Sequence, residues 1–240
     1  MAQDRIYSAP LDRVGDFEFD DSVADVFPDM IRRSVPGYSS MLSMIAQCSG
    51  MYAKPESNVY DLGCSLGAGT LLIRDNAPAG CRIHAVDNSE AMITRLQQIL
   101  AEESTNQSVE LYHADIRHIP VQNASFVVLN LTLQFLAPTD RLPFLQTVAD
   151  GMLEGGALLV SEKICFDDES QQHLMTTLHH DFKRAHGYSD LEIAQKRSAI
   201  ENRLVPETLD AHVARLKSVG FRTVAPWFQC FNFASILAVK

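Results

Sequence analysis

The segment Val59-Tyr60-Asp61-Leu62-Gly63-Cys64-Ser65-Leu66-Gly67-Ala68-Gly69-Thr70 runs from apolar residues into a cluster of small ones. A helix-length stretch follows it, and then Ile83-His84-Ala85-Val86-Asp87-Asn88. Strand, small-residue loop, helix, strand and terminal acid form half of a nucleotide-binding βαβ unit. Glycines let a backbone approach a ligand where a Cβ would collide. Asp87, at the tip of the second strand, is placed to accept hydrogen bonds from both hydroxyls of a ribose. The spacing then selects among nucleosides. A dinucleotide fingerprint needs G-x-G-x-x-G, whereas this loop reads Gly63-x-x-x-Gly67-x-Gly69. It fits the looser D-x-G-x-G-x-G loop of S-adenosylmethionine (SAM) enzymes, with Ser65 at the middle glycine. No Lys-Ser or Lys-Thr pair follows, which excludes a phosphate-cradling P-loop.

In an open parallel sheet the ligand lies beyond the carboxyl ends of the strands. Four predicted strand ends carry suitable groups: Gly63-Cys64-Ser65, Asp87-Asn88, Asp115-Ile116 and Asn130. The carboxylate of Asp115 is offered to an adenine amino group, and Asn130 closes Val127-Val128-Leu129 near the reacting centre. Each alone reads equally well as a helix cap or an Asx turn; four on successive strand ends favour a ligand. The stretch Asn130-Leu131-Thr132-Leu133-Gln134-Phe135 lacks the Asn/Asp-Pro-Pro-aromatic motif with which amino-group methyltransferases hold a target nitrogen. Methylation of adenine or glutamine nitrogen is therefore disfavoured.

Within a helix expected over 190–204, Ile193, Arg197, Ile200 and Leu204 share one face. That spacing puts Arg197 on the apolar stripe. There its guanidinium either snorkels outward, pairs with Glu201 one turn on, or meets an anionic ligand. The pair His179-His180 is no zinc site of the helical kind, which takes histidines at i and i+4. Leu174, Leu178 and Phe182 around it read as a core stripe, and Trp227-Phe228-Gln229-Cys230-Phe231-Asn232-Phe233 reads as sheet packing.

These groups need a sheet to hold them. Apolar strands are expected at 58–63, 81–87, 108–114, 125–131 and 156–163. They alternate with helices near 67–76, 89–103 and 139–153, and Ser89 caps the second of these. Such alternation makes a mostly parallel sheet covered on both faces. Residues 1–20 read as extended. The stretch 21–34 carries Val23, Val26, Phe27, Met30 and Ile31 at helical spacing and stops at Pro36-Gly37; a second helix covers 38–53. Two helices over 168–204 sit where a lid or an interface would lie. A helix at 208–219 and two strands, 221–229 and 231–239, close the chain, and the short link makes those strands antiparallel neighbours. The expected fold is α/β, a Rossmann-like SAM-methyltransferase fold: a mostly parallel seven-stranded sheet with an antiparallel C-terminal strand. One SAM-binding domain spans 1–240, with a helical extension at 21–53 and a helical insertion at 168–204.

The chain has 240 residues, 46% of them hydrophobic, and a net charge of −10. That charge argues against an electrostatic grip on nucleic acid and for a small-molecule substrate. Cys48, Cys64, Cys81, Cys165 and Cys230 form no C-x-x-C pair and read as reduced thiols of a cytoplasmic protein. No apolar run is long enough for a membrane span, and no signal peptide is expected.

With these residues in hand, the chain resembles the carboxy-S-adenosyl-L-methionine synthase family, bacterial relatives of the SAM methyltransferases. The similarity runs almost end to end. It covers Val26-Phe27-Pro28-Asp29-Met30-Ile31-Arg32-Arg33-Ser34-Val35-Pro36-Gly37-Tyr38-Ser39, the Asp61–Ala68 loop, the Asn130–Phe135 stretch, His179-His180-Asp181-Phe182-Lys183-Arg184-Ala185, Gln195-Lys196-Arg197-Ser198 and the Trp227–Phe233 segment. The resemblance implies that SAM and prephenate become carboxy-SAM and phenylpyruvate. A partner enzyme then uses the product to carboxymethylate wobble uridine in tRNA. It places the SAM contacts on Tyr38, Gly63, Cys64, Ser65, Asp87, Asn88, Asp115, Ile116 and Asn130, and the contact to the added carboxylate on Arg197. It also implies a homodimer, no metal, no direct hold on nucleic acid or membrane, and no dedicated side-chain base. Two other readings stay open on the residues alone: a SAM methyltransferase acting on a small acid, and a catalytically silent SAM-binding partner of a tRNA-modifying enzyme.

Overall fold

The computed structural model describes residues 2–102, 107–200 and 203–240. Helix α1 (Asp21–Ser34) starts where the Asp20 carboxylate accepts from the Val23 amide at 2.9 Å. Helix α2 (Tyr38–Tyr52) starts behind Gly37. That residue has a φ of 74°, and a Cβ on it would lie 2.3 Å from the ring of Phe228. The alternation then begins: β1 (Asn58–Leu62), α3 (Ala68–Asn76), β2 (Arg82–Asp87), α4 (Glu90–Glu102), β3 (Val109–His113) and β4 (Ala124–Asn130). It continues through α5 (Pro138–Gly151), β5 (Met152–Cys165), α6 (Glu169–Ala185), α7 (Asp190–Ile200), β6 (Glu207–Thr208), α8 (Leu209–Ser218), β7 (Thr223–Cys230) and β8 (Phe233–Val239).

The strands are ordered β3-β2-β1-β4-β5-β8-β7, and the short β6 pairs with β5 off this path. Strands β1 to β5 run parallel, whereas β8 is antiparallel to both β5 and β7. This is the expected mostly parallel α/β sheet with its antiparallel end, enlarged by β6. Successive side chains of a strand point to opposite faces, and the core divides accordingly. Phe126 and Val128 pack with Val59, Ile83 and Leu159 under α2 and α3. Val127 and Leu129 pack with Leu62, Leu158 and Val160 under α5 and α8. Burying both faces of β4 is why its sequence is continuously apolar.

Two boundaries differ from the sequence reading. Strand β5 begins at Met152 rather than near 156, because α5 stops at Gly151. A Cβ there would lie 2.0 Å from the Val121 carbonyl oxygen. Helix α7 is described over Asp190–Ile200, and Arg203 and Leu204, expected to continue it, are not helical. Glu201, the expected partner of Arg197, lies outside the described residues.

A third apolar cluster lies above the carboxyl ends of the strands. It joins Phe17, Val23 and Met30 to Met92 of α4 and Ala199 of α7, with Leu66 and Ile200 packed against it. Residues 2–20 form no helix or strand, as expected, but they are pinned. The Phe17 amide donates to the Ala199 carbonyl at 3.0 Å, and buried Asp4 accepts from the Tyr188 hydroxyl at 2.5 Å. Helices α1 and α7 and the N-terminal segment thus form a roof over the loop after β1.

Candidate active site

The loop after β1 is tied to the tip of β2. The amides of Gly63 and Cys64 both donate to the Val86 carbonyl, at 2.8 and 3.0 Å. Gly63 and Gly67 hold φ values of 87° and 81°, and neither leaves room for a side chain. A Cβ on Gly63 would lie 2.3 Å from Thr132 Oγ1, and one on Gly67 would lie 2.3 Å from Leu96 Cδ1. Ser65, at the position of the expected middle glycine, also has positive φ, 50°. Its backbone meets the same left-handed demand without glycine's freedom. The Ser65 hydroxyl leans on Met92 Sδ at 3.4 Å, so the α4 side of the roof supports it.

Asp87 carries the centre of the cradle. One carboxylate oxygen accepts from the Ser65 amide at 2.8 Å, and the other from the Ser89 amide at 2.9 Å. Each oxygen keeps a second lone pair, as a two-hydroxyl ribose requires. Burial pushes the pKa of Asp87 up from its ordinary carboxylate value, while the amides of Ser89 and Ser65 and the charge of His113 pull it back. Asn88 sits exposed at the rim, with its carbonyl 3.2 Å from His113 Nε2. Ser89 caps α4 as expected, its hydroxyl accepting from the Met92 amide at 3.2 Å.

Asp61 was not singled out by the sequence, yet it lies buried under the loop. Its carboxylate accepts from the Thr70 hydroxyl at 2.6 Å, and Gly69 is glycine partly because a Cβ would come within 3.1 Å of the same oxygen. Burial pushes Asp61 up to about 6, against the Thr70 bond and with help from the charge of Asp87. The Tyr38 phenol is raised strongly, first by burial and then by Asp61, with Arg32 opposing. Tyr38 therefore stands at the start of α2 within the field of the β1 tip.

At the third strand end Asp115 is both a cap and an ion-pair partner. It accepts from the Arg117 amide at 2.9 Å and from the Arg117 guanidinium at 2.6–3.1 Å, which holds its carboxyl below the usual range. Any adenine amino group must share an oxygen that Arg117 already uses. Ile116 beside it is buried. At the fourth end, Asn130 Oδ1 is buried and has no hydrogen-bond partner among the described residues. A buried amide oxygen left unpaired costs about 1–3 kcal/mol, so the site fits a ligand that brings a donor. The strand ends thus offer a backbone cradle, a two-oxygen acceptor and an orphaned acceptor, a set suited to SAM.

The segment after β4 is held from below by a residue the sequence reading missed. Glu162, buried near the end of β5, accepts from the Leu133 amide at 2.8 Å and the Gln134 amide at 2.9 Å. Burial pushes it up to about 8, against those amides and Arg141. A lone acid in Leu158-Leu159-Val160-Ser161-Glu162 was the available signal.

Arg197 departs from its expected place. The buried face of α7 is Glu192, Ile193, Gln195, Lys196 and Ala199, while Arg197 is exposed. It lines an open crevice of about 350 Å³ with Phe166, Glu169, Gln172, His173 and Thr176. Five buried positions across α7 define a face other than the Ile193-Arg197-Ile200 stripe, and the cation that enters the interior is Lys196. Its Nζ lies 2.9 Å from Ser34 Oγ and 3.4 Å from Asp4 Oδ2. On α6 the expected core stripe holds only in part: Leu178 and Phe182 are half-buried, but Leu174 is 52% exposed. His179 is the buried residue instead, donating from Nε2 to the Ser34 carbonyl at 2.8 Å and packing edge-on against Phe233 at 5.1 Å. Among the described residues no group of side chains could hold a metal ion, and no helix is long and apolar enough to cross a membrane.

Comparison with known proteins matches this arrangement. A methyltransferase-domain family model covers residues 59–156, the span from β1 into β5 that bears all four strand ends. Human N-acetylserotonin methyltransferase in complex with SAM superposes with a TM-score of 0.57 at 17% identity, over 92% of this chain and 55% of that one. Synechocystis magnesium protoporphyrin IX methyltransferase with bound SAM gives 0.58 at 14%, over 98% and 88%. These two show the fold alone. Curated relatives reach further. Carboxy-S-adenosyl-L-methionine synthase of Aliivibrio fischeri is 53% identical over 238 residues, 99% of this chain and 98% of the relative. The same enzyme of Vibrio cholerae is 52% identical over 239 residues, 99% and 97%. The matched span takes in the roof helices as well as the cradle, and by that identity and coverage the chain belongs to the carboxy-S-adenosyl-L-methionine synthase family.

Proposed function

We propose that this chain converts SAM and prephenate to carboxy-SAM and phenylpyruvate, and that a partner enzyme uses the product to carboxymethylate wobble uridine in tRNA. The observation that carries the reading is a gathering of cations in a chain of net charge −10. Lys163 of β5 and Lys196 and Arg197 of α7 all act electrostatically on Lys183 of α6, at the carboxyl side of the sheet. A methyl transfer to a neutral acceptor needs no such group, whereas a reaction between SAM and a dicarboxylate does.

The chemistry asks little more of the protein. The sulfonium acidifies its methyl group by stabilising the adjacent carbanion. Prephenate aromatises by losing carbon dioxide and its ring hydroxyl. The departing hydroxide takes the methyl proton and leaves as water, and the ylide carbon bonds to carbon dioxide. The protein supplies proximity, exclusion of water and a cation for the new carboxylate. Arg197 is the proposed partner of that carboxylate, since a planar guanidinium binds it through two parallel hydrogen bonds. Tyr38, Gly63, Cys64, Ser65, Asp87, Asn88, Asp115, Ile116 and Asn130 are the proposed SAM contacts.

We also propose one domain over 1–240 and a homodimer formed through the helices at 21–53 and 168–204, where Leu174 and Leu191 are exposed. Turnover with SAM and prephenate, read by mass spectrometry of the nucleoside, tests the reaction. Carboxy-SAM with equimolar phenylpyruvate is expected; S-adenosylhomocysteine as the only product would return the chain to the methyltransferases.

A further inference from the structure

Lys163 stands directly opposite Phe233 in the antiparallel β5–β8 pair, so the two side chains leave the sheet on the same face. The buried ring of His179 packs against Phe233 on that face. Lys183 follows His179 by four residues along α6, one turn on and on the same side of the helix. Lys196 arrives from α7 and touches Ser34, whose carbonyl also binds His179. Four elements thus bring three lysines toward one place.

Two of these lysines are accounted for. Lys196 has Asp4, Ser34 and Tyr188, and Lys163 has an interaction of its own. Lys183 is half-buried and has no hydrogen-bond or ion-pair partner among the described residues. Asp181 and Asp190 pair with Arg184, Asp29 with Arg33, and Glu192 with the Ser189 cap, and no acid is among the charges acting on Lys183. Burial and the charges of Lys196, Lys163 and Arg197 push Lys183 down to about 7. His180 is lowered too, by burial and then by Lys183, Arg197, Arg184 and Lys163. An unpaired, half-buried ammonium among like charges is costly, and a bound anion removes that cost.

We propose that Lys183, with Lys163 beside it, seats the carboxylate of the second substrate that is not transferred, while Arg197 faces the one that is. The inference rests on the proposed reaction, in which the donor is a dicarboxylate and the by-product keeps one carboxylate. It makes the donor site a two-point anion clamp, so a donor with one carboxylate binds poorly. A carboxylate held there also favours the charged lysine, so occupation and protonation of Lys183 rise together.

The test is calorimetric titration of prephenate and of phenylpyruvate into SAM-loaded wild type, Lys183→Met and Lys183→Arg, alongside steady-state kinetics. Lys183→Met should raise the prephenate KM and the phenylpyruvate Kd at least tenfold, with SAM affinity within twofold of wild type. Lys183→Arg should keep most of the affinity. Wild type should lose kcat/KM for prephenate as pH rises through about 7, and Lys183→Arg should abolish that fall. Unchanged prephenate and phenylpyruvate binding in Lys183→Met overturns the subsite. If wild type binds both acids in a Lys183-dependent way but forms no carboxy-SAM, the reaction reading falls and the subsite stands. If wild type binds neither, both fall.

Discussion

The backbone amide of Ser65 donates to the carboxylate of Asp87 across 2.8 Å, joining the loop after β1 to the tip of β2. The bond unites the two halves of the cradle. It holds a non-glycine residue at a φ of 50° and fixes the orientation of the carboxylate proposed to take the ribose. Asp87 thus shapes the site in which it is proposed to bind.

Asp87→Asn separates these two roles from simple loss of the side chain. The amide keeps one oxygen for a ribose hydroxyl but turns an N–H2 toward either Ser65 or Ser89. Hydrogen bonds to a charged group contribute about 1.5–3 kcal/mol each. SAM affinity should therefore fall by at least tenfold in Asp87→Asn and further in Asp87→Ala, both folded by circular dichroism. Unchanged affinity by calorimetry would place the ribose elsewhere.

The pH dependence of SAM binding follows from the same carboxyl group. Burial raises the pKa of Asp87 in the free protein, and ribose hydroxyls favour its ionised form. SAM binding should therefore be strongest above that raised value and weaken as pH falls through it, beginning above the ordinary carboxylate range. Asp61, held at about 6, titrates close by and is the competing cause. Asp87→Asn decides between them: its affinity is lower but should be nearly flat over the interval where wild type falls. An equal fall in the variant would assign the titration to Asp61.

The cradle was legible in the sequence because its demands are local. A left-handed turn needs glycine, a strand tip ends in an acid, and Ser89 follows as a cap; each leaves a mark within a few residues. The roof was less legible because its demands are tertiary. Arg197 was assigned to the buried face of α7 by its spacing from Ile193, yet the N-terminal segment brings Asp4 and Ser34 to Lys196 instead. Contacts between residues 4 and 196 have no periodicity to betray them. Leu174 reads as core because it shares a helical stripe with Leu178 and Phe182, and that spacing says nothing about what covers it. Glu162 and Asp61 were passed over because an acid inside an apolar strand reads as an exception until its amide and hydroxyl partners are seen.

His179 makes the roof sensitive to acid. It is buried and neutral, held down to about 2, chiefly by burial and also by Lys183, Lys163 and His180, with the Ser34 carbonyl opposing. In the unfolded chain an ordinary histidine titrates near 6.5. Its contribution is thus fully present above about 6.5 and is lost below it, by about 1.4 kcal/mol per pH unit. His212, lowered to about 4, acts in the same direction. Asp61 and Glu162, whose values are raised, act in the opposite one. Thermal melts of His179→Gln should show a smaller loss of Tm between pH 7 and pH 5 than wild type. An identical loss would mean that His179 is not the acid-sensitive group.

Exposed Leu174 on α6 and Leu191 on α7 give the proposed dimer an apolar seat. Light scattering at micromolar concentration should show twice the chain mass. Leu174→Glu with Leu191→Glu should shift the protein toward monomer while its circular dichroism is kept. A wild type that scatters only as a monomer would remove the dimer.

Arg197 is the residue whose substitution speaks most directly to the reaction. It is exposed on the crevice between α6 and α7, and it contributes to the positive field at His180 and Lys183. If it holds the carboxylate that distinguishes product from SAM, Arg197→Ala should weaken carboxy-SAM by at least tenfold more than it weakens SAM. Arg197→Lys keeps the charge without the two-pronged geometry and should fall between alanine and wild type. A purely structural arginine at an exposed position contributes about 0–1 kcal/mol and affects both ligands alike. Affinities for the two ligands in each variant, with thermal melts beside them, separate these outcomes. Equal weakening for both, or none for either, would assign Arg197 to the surface of α7 and leave the new carboxylate to the lysines.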